Sequence, residues 1–145
     1  MSAEEEKPAS SFIAPSYPHM GKLEKEIWDR FLMTTNLTFT KIEYDVRVGP
    51  GNPPVAPLPP DIQAMWDALT KLRIDAVGYR RSEIWIFEVK VRAGRSALGQ
   101  LDAYLYWFRK ERNPSVPIQL AIVCKVVDNN VREVALAKNI WIFQV

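Results

Sequence analysis

The sequence predicts an α/β fold in a single domain, from the size of the core it can build and from the periodicity of its apolar residues. The chain has 145 residues, of which 48% are hydrophobic and five are tryptophan, enough for one substantial core. Stretches with helical spacing and stretches with strand alternation follow one another along residues 21–145. The predicted order is helix, strand, long loop with a short helix, two strands, helix, strand, helix and strand.

The first 20 residues mix charges, serine and three prolines without periodicity, which predicts a flexible or draped N-terminal arm. Its apolar side chains Phe12, Ile13 and Tyr17 could pack onto a neighbour. The chain begins with acidic residues where a signal peptide would be basic, and no apolar run approaches the length of a membrane span. We therefore expect a soluble, cytoplasmic protein with no membrane partner.

The first helix is predicted in "GKLEKEIWDRFLMTT", where apolar residues form a helical stripe: Leu23, Ile27, Trp28 and Phe31. The first strand follows in "LTFTKIEYDVRV", whose apolar residues mostly alternate, as in a strand with one wet face. Residues 49–60 then hold six of the eleven prolines and lack the N–H groups that a sheet strand needs. We expect a stiff excursion that frames a cleft, with a docking site for a peptide-binding module as the alternative.

The rest of the chain alternates between the two periodicities. Asp61 is expected to cap a short helix, and strands are expected at about residues 72–79 and 84–91, joined by the turn "RRSE". The arginines of that turn are expected to face solvent. A helix capped by Ser96 should run to about Glu111, before a buried strand, "IQLAIVCKVV", a short helix and a last strand, "IWIFQV".

Three charged residues stand out in the hairpin "RIDAVGYRRSEIWIFEVK". A turn at "RRSE" pairs Tyr79 with Ile84 and Asp75 with Glu88, so the two carboxylates share a sheet face with Cβ atoms about 5 Å apart. Lys90 lies two residues beyond Glu88 and shares that face. The residues either form surface ion pairs on a wet face or, since isoleucine and valine flank them, a partly covered site whose carboxylates repel unless a cation lies between.

The other reactive residues limit the kinds of metal site and reaction that the chain can support. The chain has one histidine, His19, and one cysteine, Cys124, so a Cys/His zinc site cannot be built. His19 lies in the arm, where no catalytic role is expected, with the alternative that a histidine in a loop folds into a site. Oxygen ligands favour Mg²⁺ or Mn²⁺, which suit phosphodiester hydrolysis. Residues 71–112 carry ten Lys or Arg against five Asp or Glu, which indicates an anionic partner such as nucleic acid or a mixed charged surface.

These residues and the order of elements resemble the PD-(D/E)XK nuclease superfamily over residues 21–127. The resemblance implies a restriction-endonuclease-like core, an α-β-β-β-α-β mixed sheet flanked by helices, here with an extra C-terminal α-β. Asp75 and the "EVK" of Glu88 to Lys90 fit the motif, although Ile74 stands where the family name has proline. The helix after the motif carries Gln100 in "ALGQLDAY", as in resolvase-like and phage exonuclease-like members.

The resemblance also implies roles for individual residues. Asp75, Glu88 and the carbonyl of Val89 would hold Mg²⁺ or Mn²⁺, joined by a glutamate of the first helix, Glu24 or, as the less favoured alternative, Glu26. Lys90 would place the attacking water. The residues implied to orient Lys90 or to contact DNA are Gln100, Arg92, Arg95 and Tyr104.

Two functions therefore follow from the sequence. The first is Mg²⁺-dependent hydrolysis of DNA. The second is a small phage neck, head-completion or other assembly protein built on the same fold, with an active or vestigial site. The N-terminal arm, the proline-rich excursion and the apolar last strand would then join subunits of a homo-oligomer.

Overall fold

The computed structural model describes residues 5–145, and it contains seven strands and four α-helices in that range. The strands are β1 (Lys7–Pro8), β2 (Thr38–Phe39), β3 (Lys41–Val48), β4 (Leu72–Tyr79), β5 (Ile84–Ala93), β6 (Ile118–Val127) and β7 (Ile140–Gln144). The helices are α1 (Lys22–Thr34), α2 (Pro60–Thr70), α3 (Arg95–Arg112) and α4 (Asn129–Ala137), with a 3₁₀ turn at Ala9–Phe12.

The main sheet has five strands in the order β3-β4-β5-β6-β7. Strands β3, β4 and β5 pair antiparallel, whereas β5, β6 and β7 pair parallel through the crossover helices α3 and α4. The α/β class, the mixed sheet flanked by helices and the predicted order of elements are confirmed. No helix in residues 5–145 combines the length and the apolarity needed to cross a bilayer.

The two faces of the sheet are buried in different ways. One face packs aromatic side chains of the sheet against α1, with Trp28 and Phe31 each 5.1 Å from the ring of Phe87. The other face packs aliphatic side chains against α3 and α4. Strand β5 therefore contributes to both cores by alternation, Trp85 and Phe87 to the first and Ile84 and Ile86 to the second. The next residue on the second face is Glu88.

The N-terminal arm lies against the aromatic face. Strand β1 pairs with β2, and the buried side chains of Ala9 and Tyr17 belong to the aromatic core. The ring of Phe12 meets Phe39 edge-on, with centroids 6.4 Å apart. Of the arm's predicted apolar anchors, Tyr17 and Phe12 thus pack within their own chain, while Ile13 remains exposed.

Several local predictions were wrong. Gly94, not Ser96, is the N-cap of α3, and α2 begins at Pro60, so Asp61 lies inside its first turn. A proline at the first helical position needs no hydrogen bond for its missing N–H, which allows the helix to begin there. The predicted first strand is divided into β2 and β3 because its first part pairs with the arm.

The hairpin register was predicted correctly as far as the pairing continues. Tyr79 faces Ile84 and Ala76 faces Phe87, but the ladder stops there, one residue before Asp75 and Glu88. In the turn, the guanidinium of Arg80 does not face solvent as expected. Its Nη1 donates to Glu83 Oε1 at 2.7 Å, because the turn folds the two side chains together.

Candidate functional site

A cleft of about 420 Å³ opens where β4 and β5 separate. Strand β5 forms its floor, and the first turn of α1, the second turn of α3 and the end of the N-terminal arm form its walls. Its lining is mostly polar and charged: His19, Met20, Glu24, Arg73, Asp75, Glu88, Val89, Lys90, Val91, Arg92 and Gln100. The structure therefore brings seven predicted site residues into one cleft: Glu24, Asp75, Glu88, Val89, Lys90, Arg92 and Gln100.

Asp75 separates the two strands. Its Oδ2 accepts a hydrogen bond from the backbone N–H of Val89 at 2.8 Å, where the ladder between β4 and β5 has stopped. Strand alternation also breaks at this point, because Ile74 and Val77 are three positions apart yet both belong to the aliphatic core. The carboxylate of Asp75 thus takes the place of a backbone acceptor and is held beside Glu88.

Glu88 is the one charged residue in the described range that is buried, at 4% exposure. Burial raises its pKa to about 9, and hydrogen bonding and charge repulsion from Asp75 add to the shift. A hydrogen bond with Tyr104 and the positive charge of Lys90 oppose it. Without a cation, Glu88 is therefore protonated near neutral pH.

Two buried oxygens in this region have no hydrogen-bond partner within residues 5–145. They are Oε2 of Glu88, on β5, and Oε1 of Gln100, on α3. A buried acceptor without a donor costs about 1–3 kcal/mol of stability, so such atoms require an explanation. Both residues line the cleft, where a cation, a water or the Lys90 ammonium can supply the missing interaction.

The cation-binding potential of the cleft rests on few groups. Within residues 5–145 there is no cluster of three or more His, Cys, Asp or Glu side chains close enough to hold a metal ion. Asp75 and Glu88 form a pair, whereas Glu24 lines the same cleft from the first turn of α1 without joining them in such a cluster. The predicted role of Glu24 as a third ligand remains a prediction.

Tyr104 and Arg95, two of the residues predicted to contact DNA, are not among those that line the cleft. Tyr104 is 4% exposed, and burial and the Glu88 carboxyl raise the pKa of its hydroxyl. This position does not support contact between Tyr104 and nucleic acid; its hydroxyl donates toward Glu88 instead. Arg95 begins α3 and does not line the cleft, whereas Arg92 is largely exposed at its edge, 3.8 Å from Asp128.

Two further residues of the cleft, Arg73 and His19, were not among the site residues predicted from the sequence. Arg73 lies on β4 two residues before Asp75, so strand alternation could have placed it there. His19 comes from the arm and reaches the cleft because a turn directs it there. The signal for that turn is the Pro18 before it, but proline alone does not say which way the chain will then point.

Comparisons of the chain with protein-family models, with curated proteins and with solved structures give no match.

Proposed function

We propose that the cleft is the active site of a Mg²⁺- or Mn²⁺-dependent nuclease that hydrolyses DNA, built on a restriction-endonuclease-like core of the PD-(D/E)XK type. The observation that carries the proposal is the pair of carboxyls, Asp75 and Glu88, held together at the floor of a cleft edged by arginines. A buried pair of this kind is unfavourable when both groups are charged. Binding of a divalent cation removes that penalty.

The donor set fits a hard cation. Carboxylate and carbonyl oxygens are available from Asp75, Glu88 and Val89, and Oε2 of Glu88 has no partner in the described part of the protein. Mg²⁺ is commonly held by one or two carboxylates, with waters and substrate phosphates completing its shell. Two carboxylates are therefore sufficient, and Glu24 can act through a water.

The side chains then have distinct tasks. A bound Mg²⁺ would polarise the phosphate and lower the pKa of a water. The N–H of Val89 fixes Asp75, and the hydroxyl of Tyr104 stabilises the charged form of Glu88. Lys90, on the same strand and lining the same cleft, stabilises negative charge on the attacking oxygen or on the phosphate. Arg73 and Arg92 attract the DNA backbone.

The test is DNA cleavage by a pair of matched lysine variants. Wild-type protein with Mg²⁺ or Mn²⁺ is offered linear, nicked, branched and single-stranded DNA. We expect cleavage of at least one, with Lys90→Met slower by roughly 10²–10³-fold. Lys125→Met is the control, since Lys125 is exposed on the neighbouring strand β6 and does not line the cleft. Absence of cleavage of every substrate, or equal rates for the two variants, contradicts the proposal.

A second candidate function is assembly, in a phage neck, a head-completion complex or another symmetric particle. It is favoured by β7, which is the last strand of the sheet and is flanked by apolar grooves of about 730 and 590 Å³. Trp141 lines both grooves and is 53% exposed. Exposed apolar surface beside an edge strand is typical of subunit contacts.

Sedimentation velocity at micromolar concentration separates the two candidates. Assembly predicts an oligomer that Trp141→Ser dissociates, with or without DNA cleavage. A wild-type monomer that does not associate with particles contradicts the second candidate and leaves the first intact.

A further inference from the structure

His19 occupies the mouth of the cleft in an unusual setting. It is 50% exposed and lines the cleft that holds Asp75 and Glu88. Its Nε2 lies 3.0 Å from Oδ2 of Asp45, on β3. Within residues 5–145 no partner is found for its other ring nitrogen, Nδ1. The imidazole is therefore held at one end and available at the other.

The backbone does not favour a histidine at this position. The N–H of Met20 donates to the carbonyl of Tyr17 at 3.2 Å, which closes a turn over Pro18 and His19. Proline at the second position and a φ of 58° at His19 identify a type II turn, whose third position is usually glycine or asparagine. A residue with a side chain is strained in this left-handed conformation. The turn would form more easily with glycine.

The segment that carries His19 is fixed to the body of the protein. Tyr17 is 4% exposed, and its hydroxyl donates to Oδ1 of Asp29 at 2.5 Å and accepts from the N–H of Ala14 at 3.0 Å. Its ring packs on Tyr44 with centroids 5.1 Å apart. Since the residue two positions earlier is anchored in the core, the approach of His19 to the cleft is defined by packing.

Asp45 is fixed from its other side. Its Oδ1 accepts from Nε of Arg47 at 3.0 Å, and Arg47 also donates to the carbonyl of Ala68 in α2. Asp45 has a φ of 52° and interrupts the ladder between β3 and β4 at the register position opposite Asp75. Two left-handed residues, from separate parts of the chain, thus meet beside the carboxylate pair. Strained backbone of this kind clusters at functional sites.

We propose that His19 binds a backbone phosphate of nucleic acid in the cleft, with Asp45 as the residue that positions its imidazole. Asp45 lies against Nε2 and orients the ring, so that Nδ1 points away from it, and the cationic imidazole can donate from Nδ1–H to a phosphate oxygen. The inference rests on the proposed function, because it requires that the cleft bind nucleic acid. It assigns to the N-terminal arm a direct part in holding the substrate.

The test compares two glycine substitutions at the same backbone conformation. His19→Gly removes the imidazole and relaxes the left-handed turn. Asn139→Gly relaxes the turn between α4 and β7, where φ is also 58°, without removing a group from the cleft. Affinity for DNA is measured by fluorescence anisotropy without divalent metal, so that no cleavage occurs. We expect His19→Gly to weaken binding about tenfold. Asn139→Gly should leave it unchanged, and neither variant should lower the melting temperature.

Asp45→Asn keeps the shape of the positioning residue but removes its charge, and we expect a smaller loss of affinity in the same direction. Equal DNA affinity for His19→Gly and wild type overturns the inference, and if wild type still cuts DNA, the nuclease proposal stands. A wild type that neither binds nor cuts DNA overturns both.

Mn²⁺ affinity is measured in parallel. If His19→Gly weakens it as much as Asp75→Asn does, His19 is a metal ligand and the inference is wrong.

Discussion

The hairpin of β4 and β5 has a glutamate near each end, and the two glutamates differ in their hydrogen-bond partners. At the turn, the carboxylate of Glu83 has three donors. Its Oε1 accepts from Arg80 Nη1 at 2.7 Å and from Trp85 Nε1 at 2.9 Å, and its Oε2 accepts from Gln119 Nε2 at 3.2 Å. These hydrogen bonds supply donors to both oxygens of the carboxylate and tie the turn to β6.

At the open end, Glu88 lies beside another carboxyl, its Oε2 has no partner among the described residues, and its pKa is raised to about 9. Glu83 directly precedes β5, and Glu88 lies within that strand, five residues further along the chain. One is satisfied by the protein itself and therefore serves stability. The other, Glu88, has a raised pKa and a buried oxygen with no donor among the described residues, at the floor of a cleft. These properties are common in residues that bind ligands or react.

Replacing Glu88 with glutamine should have the largest effect on the difference between the two ends of the hairpin. Glu88→Gln should slow DNA cleavage by roughly 10²–10³-fold, since it removes a ligand charge from the site. Its stability should be equal or higher at pH 8, because a neutral amide replaces a buried acid that resists ionisation. Cleavage rates and thermal unfolding measure both effects. A fast Glu88→Gln enzyme, or one that fails to fold, contradicts the assignment.

The pH dependence of stability should also distinguish the two ends. The raised pKa of Glu88 means that the folded protein keeps a proton that the unfolded chain releases above its ordinary pKa of 4.5. Stability contributed by this group is therefore complete below about pH 4.5 and is lost as the pH rises to about 9. Denaturant unfolding without metal should show a wild-type decline, relative to Glu88→Gln, on the order of a few kcal/mol. If the free energy of unfolding changed with pH in the same way for wild type and Glu88→Gln, the pKa of Glu88 would not be raised in the folded protein.

Tyr104 is the hydrogen-bond donor to Glu88 at the open end of the hairpin. Tyr104→Phe removes a hydroxyl that favours the charged form of Glu88, and we expect Mn²⁺ affinity to fall roughly 10–100-fold, as for residues that support metal ligands. The matched control is Tyr106→Phe, on the exposed side of the same helix. Equal affinities for both variants would mean that Tyr104 only packs.

The smallest effect is expected at the turn. Glu83→Gln should cost about 1–3 kcal/mol of stability, because it weakens charge-assisted hydrogen bonds. Its cleavage rate at a temperature where it is folded should equal that of wild type. Urea unfolding and the cleavage assay test the two statements, and a loss of activity without a loss of stability would show that the turn takes part in function.

The parts of the fold that depend on local periodicity were predictable from the sequence. The helices and strands of the main sheet follow from apolar spacing, and the hairpin register follows from a turn at "RRSE". Strand alternation places Glu88 and Lys90 on one face, and Ile84 and Ile86 beside them indicated that this face is covered. The meeting of Asp75 and Glu88 in one cleft could thus be anticipated.

Features that depend on tertiary packing could not be predicted. The burial of Tyr104 depends on how α3 is rotated on the sheet, and the Gly94 cap depends on where β5 ends. His19 reaches the cleft only because Tyr17 is anchored in the aromatic core and the turn after it is left-handed. Neither condition is visible in the spacing of residues, so the arm was assigned no part in the site.

Asp75 and Glu88 are proposed to form one cation site, and metal binding at such a site must displace a proton. At pH 7.5 the proton of Glu88 must leave when Mn²⁺ or Mg²⁺ binds, because burial raises the pKa of Glu88 to about 9. Calorimetric titration in buffers of different ionisation enthalpy should therefore give a release of about one proton per metal for wild type. Glu88→Gln should release none. Metal binding without proton release, or no binding at millimolar metal, would contradict the claim.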